Sequence, residues 1–313
     1  MIQWSSIESV PADFADTAVT IGKFDGVHLG HLKLLAELTE AAEQAGLSAV
    51  VVTFDRHPDA LLNPDAAKLP LIGPLQKRHL LLEAGVDATL TLPFDEALAS
   101  LSPADFVDTI LVKTLRAKIV LVGEGFRFGH HGAGNVSTLR QLGAQHGFLV
   151  REVSHASIDG EKVSTTRIRE ILDEGNVAKA SSMLGRDHIN TGVIEHGLKI
   201  GRTIGFPTAN LSRNAEGYLP LDGVYAGWLY ADGQRYPAAH SVGINETFQA
   251  VPRLVESHVL DRKDLDLYDK VVTLEYIDFV RPSAKFNGVD ELIEAINCDL
   301  DKVREILGVD KPV

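Results

Sequence analysis

Apolar residues in the first half of the chain follow two alternating patterns. Short continuous runs, "AVTIG" at 18–22, "LSAVVVTF" at 47–54 and "KIVLVG" at 118–123, read as strands buried on both faces. Elsewhere the apolar positions return every three or four residues. Leu32, Leu35, Leu38, Ala42 and Ala45 predict a helix over 31–45, ended by Gly46. The same reading predicts helices at 75–84, 103–115, 166–173 and 176–183, and strands at 87–92 and 148–153. Such alternation implies a doubly wound α/β domain with a parallel sheet.

From about residue 187 the pattern changes to closely spaced strands with turn residues between them: "INTGVIEHG", "GVYAGWLYADGQRYPAAHSVG", "RLVESHVLD" and "KVVTLEYIDFV". Asp232-Gly233 marks a hairpin turn. These features predict a small antiparallel barrel. Val289, Leu292, Ile293, Ile296, Leu300, Val303 and Ile306 line one side of a helix over 289–307. The expected domains are 1–185 and 186–313.

Composition narrows the classes of function. The chain has 313 residues, 45% hydrophobic and 23% charged, enough for two globular cores. No apolar run has the length needed to cross a bilayer. The single Cys298 excludes an internal disulfide framework and a cysteine-rich zinc site, and the expected compartment is a reducing cytoplasm. A formal net charge of −13 argues against a nucleic-acid or anionic-membrane surface, so small molecules are the expected partners. An anionic small ligand stays open, because surface fields are screened over roughly 8 Å at physiological salt. Monomer and homo-oligomer are both compatible with the sequence.

Chemistry concentrates first in "TIGKFDGVHLGH", Thr20 to His31. A strand running through glycines into a helix leaves backbone N–H groups at the helix start, and these favour an anion. Gly22, Gly26 and Gly30 permit a tight turn and a close ligand. His28 and His31 are three residues apart, on one side of a turn, and both can donate to phosphate oxygens. The competing readings are a plain turn, two surface histidines, or half a metal site. No H-E-x-x-H frame or nearby cysteine supports zinc.

"HLGH" resembles the H-x-G-H signature of nucleotidyltransferases, and "GKFDGVHLGH" resembles its form in bacterial FMN adenylyltransferases. "VTFDRHP" (52–58), "VGEGFRFGHHGAGN" (122–135) and "VSTTRIRE" (163–170) are similar to further blocks of that family, in order. The resemblance implies a Rossmann-like fold and transfer of AMP from ATP to the phosphate of FMN, giving FAD and pyrophosphate. It assigns His28 and His31 to the triphosphate and to the charge developing at its α-phosphorus. Ser164, Thr165, Thr166 and Arg169 would grip the phosphates from the other side, with Gly22, Phe24, Asp25 and Gly30 completing the ATP loop. Asp25 would orient a histidine or a magnesium-bound water, or else cap the helix. His57 would meet the flavin phosphate or ATP, or be a turn residue. Phe126 and Arg127 would contact the flavin, although Phe126 and Phe128 read equally well as core. Where the family usually carries Asp or Asn, this chain has Gly125, which implies a weaker flavin contact.

"GRTIGFPTAN", 201–210, poses a second case. In an extended segment Thr208 and Asn210 point to the same side, and both offer oxygen to a hard cation such as Mg²⁺. Taken alone, a polar edge strand explains them as well. "GFPTAN" resembles the P-T-A-N motif of riboflavin kinases, and "DGVYAGW", "SVGINETF", "VESHVLD" and "VRPSAKF" are similar to other blocks of that family. The implied reaction is phosphoryl transfer from ATP to the 5′-hydroxyl of riboflavin. Glu256 would be the general base, Thr208 and Asn210 the magnesium ligands, and Lys199, Gly201 and Gly205 a flap over ATP. Arg281 would reach flavin or nucleotide. Two departures from the family are Glu246, in place of a proline, and Asp269, in place of a glycine.

Over nearly its full length the chain therefore resembles the bifunctional riboflavin kinase/FMN adenylyltransferases, in an actinobacterial-like form. That implies a Rossmann-like domain followed by an antiparallel kinase barrel with a terminal helix, using ATP, riboflavin, FMN and Mg²⁺ and releasing FAD. The alternatives are a kinase whose adenylyltransferase is impaired at Gly125, and a regulator that binds flavin or nucleotide without catalysis.

Overall fold

The computed structural model describes residues 1–66, 68–197, 200–243, 253–262 and 264–311. The chain divides into two compact units, Met1–Pro70 with Pro74–Val163, and Leu71–Gly73 with Ser164–Val313.

The first unit is built on β1 (Ile2–Trp4), β2 (Thr17–Ile21), α1 (Leu29–Ala45), β3 (Ser48–Phe54), α2 (Pro74–Glu83), β4 (Ala88–Leu92), α3 (Pro103–Phe106), β5 (Ala117–Gly123), α4 (Val136–His146) and β6 (Leu149–Val153). All six strands are parallel, in the order β1-β4-β3-β2-β5-β6. The direction of progression reverses between β2 and β5. In open α/β sheets, ligands bind at the carboxyl ends of the strands flanking such a switch. Val50, Val51 and Val52 have no exposed surface, as expected for a strand covered on both faces. Beyond α3 the chain continues as a wide-wound π-helix over Val107–Thr114, so the predicted helix at 103–115 exists but changes winding partway. The strand β1 carries no sequence periodicity because it is only three residues long; its pairing with β4 and the edge-on contact of Trp4 with Phe14 hold it.

The second unit contains α5 (Thr165–Asp173), α6 (Val177–Leu184), β7 (His188–Glu195), β8 (Ala209–Leu211), β9 (Gly223–Ala231), β10 (Gln234–Gly243), β11 (Leu254–Val259), β12 (Val271–Pro282) and α7 (Val289–Leu307). Its strands close an antiparallel barrel in the order β7-β8-β11-β10-β9-β12. The expected turn joins β9 to β10, with Asp232 and Gly233 both at positive φ (50° and 75°), as the primed hairpin turns require. The terminal helix lays Ile296, Leu300, Val303 and Ile306 against Ala226, Ala239 and Leu260, while Val289 stays exposed. On that buried side sits Asp299, which takes the guanidinium fork of Arg281 in two bonds of 2.8 Å each. The fork of Arg281, the residue expected to reach flavin or nucleotide, ties the end of β12 to α7.

Inside the barrel lie the fully enclosed His188 and His240. His240 Nε2 donates to the Glu275 carbonyl at 3.2 Å, so its Nδ1 accepts from the Ser257 hydroxyl at 2.9 Å. Burial pushes both histidines down to about 4. Below the ordinary histidine pKa of 6.5 the unfolded chain binds protons that the folded barrel refuses.

Two outcomes follow. Denaturant unfolding of the barrel should give constant stability above pH 6.5 from these two groups and a progressive loss from there toward about 4, near 2 kcal/mol per histidine by about pH 5, and His240→Gln should flatten that slope. Asp299→Ala should destabilise the barrel unit by about 2 kcal/mol in the same measurement, since it strands a charge-paired guanidinium.

Candidate active sites

The first site is built where β2 ends. Gly22 continues the strand through its N–H to the Val52 carbonyl (3.0 Å), and the backbone then turns sharply through Phe24, Gly26 and Val27, at φ 49°, 87° and 38°. A β-branched residue at positive φ is strained and needs surrounding structure to hold it. Helix α1 begins at Leu29, two residues earlier than the apolar spacing predicts, because His28 is its cap: Nδ1 accepts the backbone N–H of His31 at 3.3 Å. Asp25 is therefore not the cap. Its carboxylate is buried close enough to Lys77 to favour the charged ammonium.

The two imidazoles stack at 3.7 Å between centroids and 13° between planes. A Cβ on residue 30 would sit 3.1 Å from His28 Cε1, so Gly30 makes room for the capping ring. Phe24 is fully buried, with its ring 5.1 Å from that of His31. Its ring therefore supports the histidine from the core side of the turn. The result is a rigid pair of imidazoles on the first turn of a 17-residue helix, with amides and dipole turned toward an incoming anion.

A cavity of about 860 Å³ opens beside this turn, lined by Gly22, Lys23, Phe54, Phe94, Phe126 and Phe128 among others. Phe54 and Phe94 meet edge-on at 5.4 Å, and Phe126 and Phe128 stack at 5.5 Å. An aromatic cavity of this size fits a flat, fused-ring ligand. Phe128 belongs both to the core and to the cavity wall, so the two sequence readings of it are not exclusive. Arg127 lines the same cavity with its Nε bonded to the Gly132 carbonyl at 2.8 Å. His57 stands at the strand end beside the cavity, its Nε2 2.7 Å from Lys23 Nζ. Gly125 has φ 76° and open space where a Cβ would point. Glycine and asparagine both accept that backbone, so the departure removes a side chain and leaves the turn unchanged.

Sequence reasoning missed Lys77. Its ammonium lies 3.2 Å from the Phe54 carbonyl and 3.5 Å from both the Lys23 carbonyl and Thr53 Oγ1. Burial pulls its pKa down, and Asp25 and Asp55 oppose that. Helix α2 is weakly amphipathic, so nothing in its pattern separates this lysine from a solvated one.

Ser164, Thr165, Thr166 and Arg169 fall at the start of α5, in the second compact unit. The Ser164 hydroxyl caps that helix by accepting from the Arg167 N–H at 3.3 Å, and Arg169 is buried.

The second site lies on the outer face of the barrel wall. Strand alternation turns Ala209 and Ser257 inward and leaves Thr208, Asn210 and Glu256 on the other face. Asn210 is directly opposite Glu256 across β8 and β11, and Ser241 is opposite Glu256 on its other side. Thr208 Oγ1 donates to Glu256 Oε2 at 3.1 Å. Two separate stretches of sequence thus bring Thr208 and Asn210 together with Glu256. Gly201 lies in the short helix Ile200–Thr203 and Gly205 in the turn after it, next to Phe206, while Lys199 and Glu246 fall outside the described residues. A small cavity of about 50 Å³ beside Thr208 is lined by Arg202, Arg262 and Tyr268. Among the described residues no group of three or more His, Cys, Asp or Glu forms a metal cage. The oxygen donors Thr208 and Asn210 fit a hard cation that draws most of its ligands from elsewhere.

Comparison with known proteins agrees with this division. Residues 10–167 match the FAD synthetase family and residues 184–307 the riboflavin kinase family. The bifunctional riboflavin kinase/FMN adenylyltransferase of Escherichia coli K12 is 35% identical over 94% of each chain. That of Listeria monocytogenes is 34% identical over 96% of this chain and 93% of its own. A solved Streptococcus pneumoniae structure, titled a macrolide-efflux protein, superposes with a TM-score of 0.87 at 32% identity, covering 97% of this chain and 98% of that one. No helix among the described residues is long and apolar enough to cross a membrane. With one segment matching each enzyme family and relatives that align over nearly the whole length, the chain belongs to the family of bifunctional riboflavin kinase/FMN adenylyltransferases.

Proposed function

We propose that this chain makes FMN and then FAD, using the barrel site first and the β2–α1 site second, with the functional boundary near residue 185. The supporting observation is that the chain carries two distinct constellations, each suited to one of the two nucleophiles. The stacked imidazoles at a helix start suit an attacking group that is already ionised. The carboxylate bonded to Thr208 suits one that must lose a proton.

In the kinase step the 5′-oxygen of riboflavin bonds to the γ-phosphorus of ATP, the bond to the β–γ bridging oxygen breaks, and ADP leaves. Glu256 receives the hydroxyl proton. Thr208 and Asn210 are the residues that would hold Mg²⁺, which supplies neutralising charge on the phosphates. Glu256 also accepts from Thr208, so the base and the metal-facing residue are oriented together. Gly201 and Gly205 belong to the segment that closes over the nucleotide.

In the adenylyl step a phosphate oxygen of FMN bonds to the α-phosphorus of ATP, and pyrophosphate departs. No proton has to be removed, so alignment and charge stabilisation carry the catalysis. His28 and His31 donate to the triphosphate, and the aromatic cavity takes the flavin ring. To the same reaction we assign the Ser164–Thr166 turn and Arg169. Gly125 weakens one flavin contact without closing the cavity, so the reading with both activities is preferred to a kinase alone.

Purified protein with riboflavin, ATP and Mg²⁺ should yield FMN and then FAD by chromatography. Glu256→Gln should cut FMN formation by roughly 10²–10⁴ and leave conversion of supplied FMN to FAD intact. His31→Ala should do the reverse, lowering FAD formation by about 10²–10³ with the kinase unaffected. Parallel loss of both activities in either folded variant overturns the assignment to two sites.

A further inference from the structure

Lys23 stands on the cavity wall at the point where the chain enters the triphosphate turn. Its neighbour Gly22 lines the cavity, as Lys23 itself does, and two residues on begins the Asp25–His28 turn. The attacking phosphate of FMN must occupy this junction. Its isoalloxazine ring needs the apolar cavity, and its phosphate must reach an α-phosphorus held by His28 and His31.

The electrostatics of the junction call for a cation. Asp59 and Glu96 also line the cavity and repel a dianion. Of the other positive or protonatable groups on its wall, Arg127 is bonded through Nε to the Gly132 carbonyl. His130 Nδ1 lies 3.0 Å from the Ala99 carbonyl, and the His131 ring is tilted 54° against that of His130 at 4.0 Å. These sit at the Phe126–Gly132 end. At the turn end stands Lys23, whose ammonium is 2.7 Å from His57 Nε2, while His57 Nδ1 lies 3.2 Å from Asp59 Oδ2. His57 is itself anchored, its Nδ1 accepting the Asp59 N–H at 3.1 Å, so the ring stands between the Lys23 ammonium and Asp59 and holds that ammonium at the turn end of the cavity.

The backbone of Lys23 is fixed as well. Its carbonyl accepts from Thr53 Oγ1 at 3.2 Å and lies 3.5 Å from Lys77 Nζ. A lysine whose main chain is bonded twice and whose tip is held by a histidine loses little freedom when it meets an anion.

From this juxtaposition we infer that Lys23, oriented by His57, binds the 5′-phosphate of FMN in the adenylyl step and so selects the phosphorylated flavin. The inference rests on the reading of the β2–α1 site given above and adds a substrate-binding residue to it.

The test is the initial rate of FAD formation from supplied FMN at saturating ATP, across a range of FMN and salt concentrations. Lys23→Met should raise the KM for FMN about tenfold or more, corresponding to loss of one charge-assisted phosphate contact. The KM for ATP should change less than about threefold, as should riboflavin phosphorylation, which reports on folding in the same preparation. Lys23→Arg should keep most of the FMN affinity. The rise in KM for FMN with salt should be shallower in the Met variant than in the unmodified protein. An unchanged KM for FMN with an unchanged salt slope overturns the inference and leaves the parent reading standing. Loss of both activities together also overturns it, by giving Lys23 a structural role. Unmodified protein that forms no FAD at all overturns the parent reading and this inference with it.

Discussion

The N–H of His31 bonded to the ring of His28 is the contact on which the first site depends. One imidazole serves as the helix cap and as half of the anion-binding pair, so the position of α1 and the position of the second imidazole are set by a single bond of 3.3 Å. Serine or aspartate caps a helix more commonly. Neither would stack on His31 or present a second nitrogen to a phosphate. Gly30 follows as a consequence, because the capping ring occupies the space that a side chain there would need. Buried Phe24 adds a second contact to the pair, its ring 5.1 Å from that of His31.

The chain as a whole is strongly acidic, yet both proposed sites would have to receive a polyphosphate. The resolution is local. At the first site the positive character comes from amides, imidazoles and two lysines whose partners are backbone carbonyls, carboxylates and a histidine. At the barrel site the negative Glu256 faces Thr208 and Asn210, and the proposed cation would offset that charge for a phosphate. That difference fits the chemistry: a base is required where an alcohol attacks and dispensable where a phosphate oxygen does.

Much of this was legible in the sequence. Apolar runs and helical periods placed the central strands and most of the longer helices, since burial on one or both faces leaves a regular trace, but not α4 (Val136–His146) or β1. The start of α1 was read two residues late because a histidine cap has no reputation as one. The pairing of Thr208, Asn210 and Glu256 followed partly from strand alternation, although the register that puts Asn210 against Glu256 is a tertiary fact. Arg281 and Phe24 have residue types and motif positions that suit a ligand, and only the fold shows that one also pairs with Asp299 and the other also packs in the core. Lys23 and Lys77 were invisible because their meaning lies in the ends of β2 and β3 coming together.

Three residues in the Phe24–Val27 turn hold left-handed backbone angles, and two of them are not glycine. Conformations of this kind cost of order 1–3 kcal/mol each. Folding of the parallel sheet supplies that energy in advance, through the bonds from Val52, Thr53 and Lys77 that pin the flanking segment. An arriving nucleotide therefore finds its receptor already shaped and spends little of its own binding energy on ordering it. The same economy makes the turn brittle: a change that frees any of those pins lets the backbone relax to an ordinary angle, and the protein would grow more comfortable as it grew less able to bind.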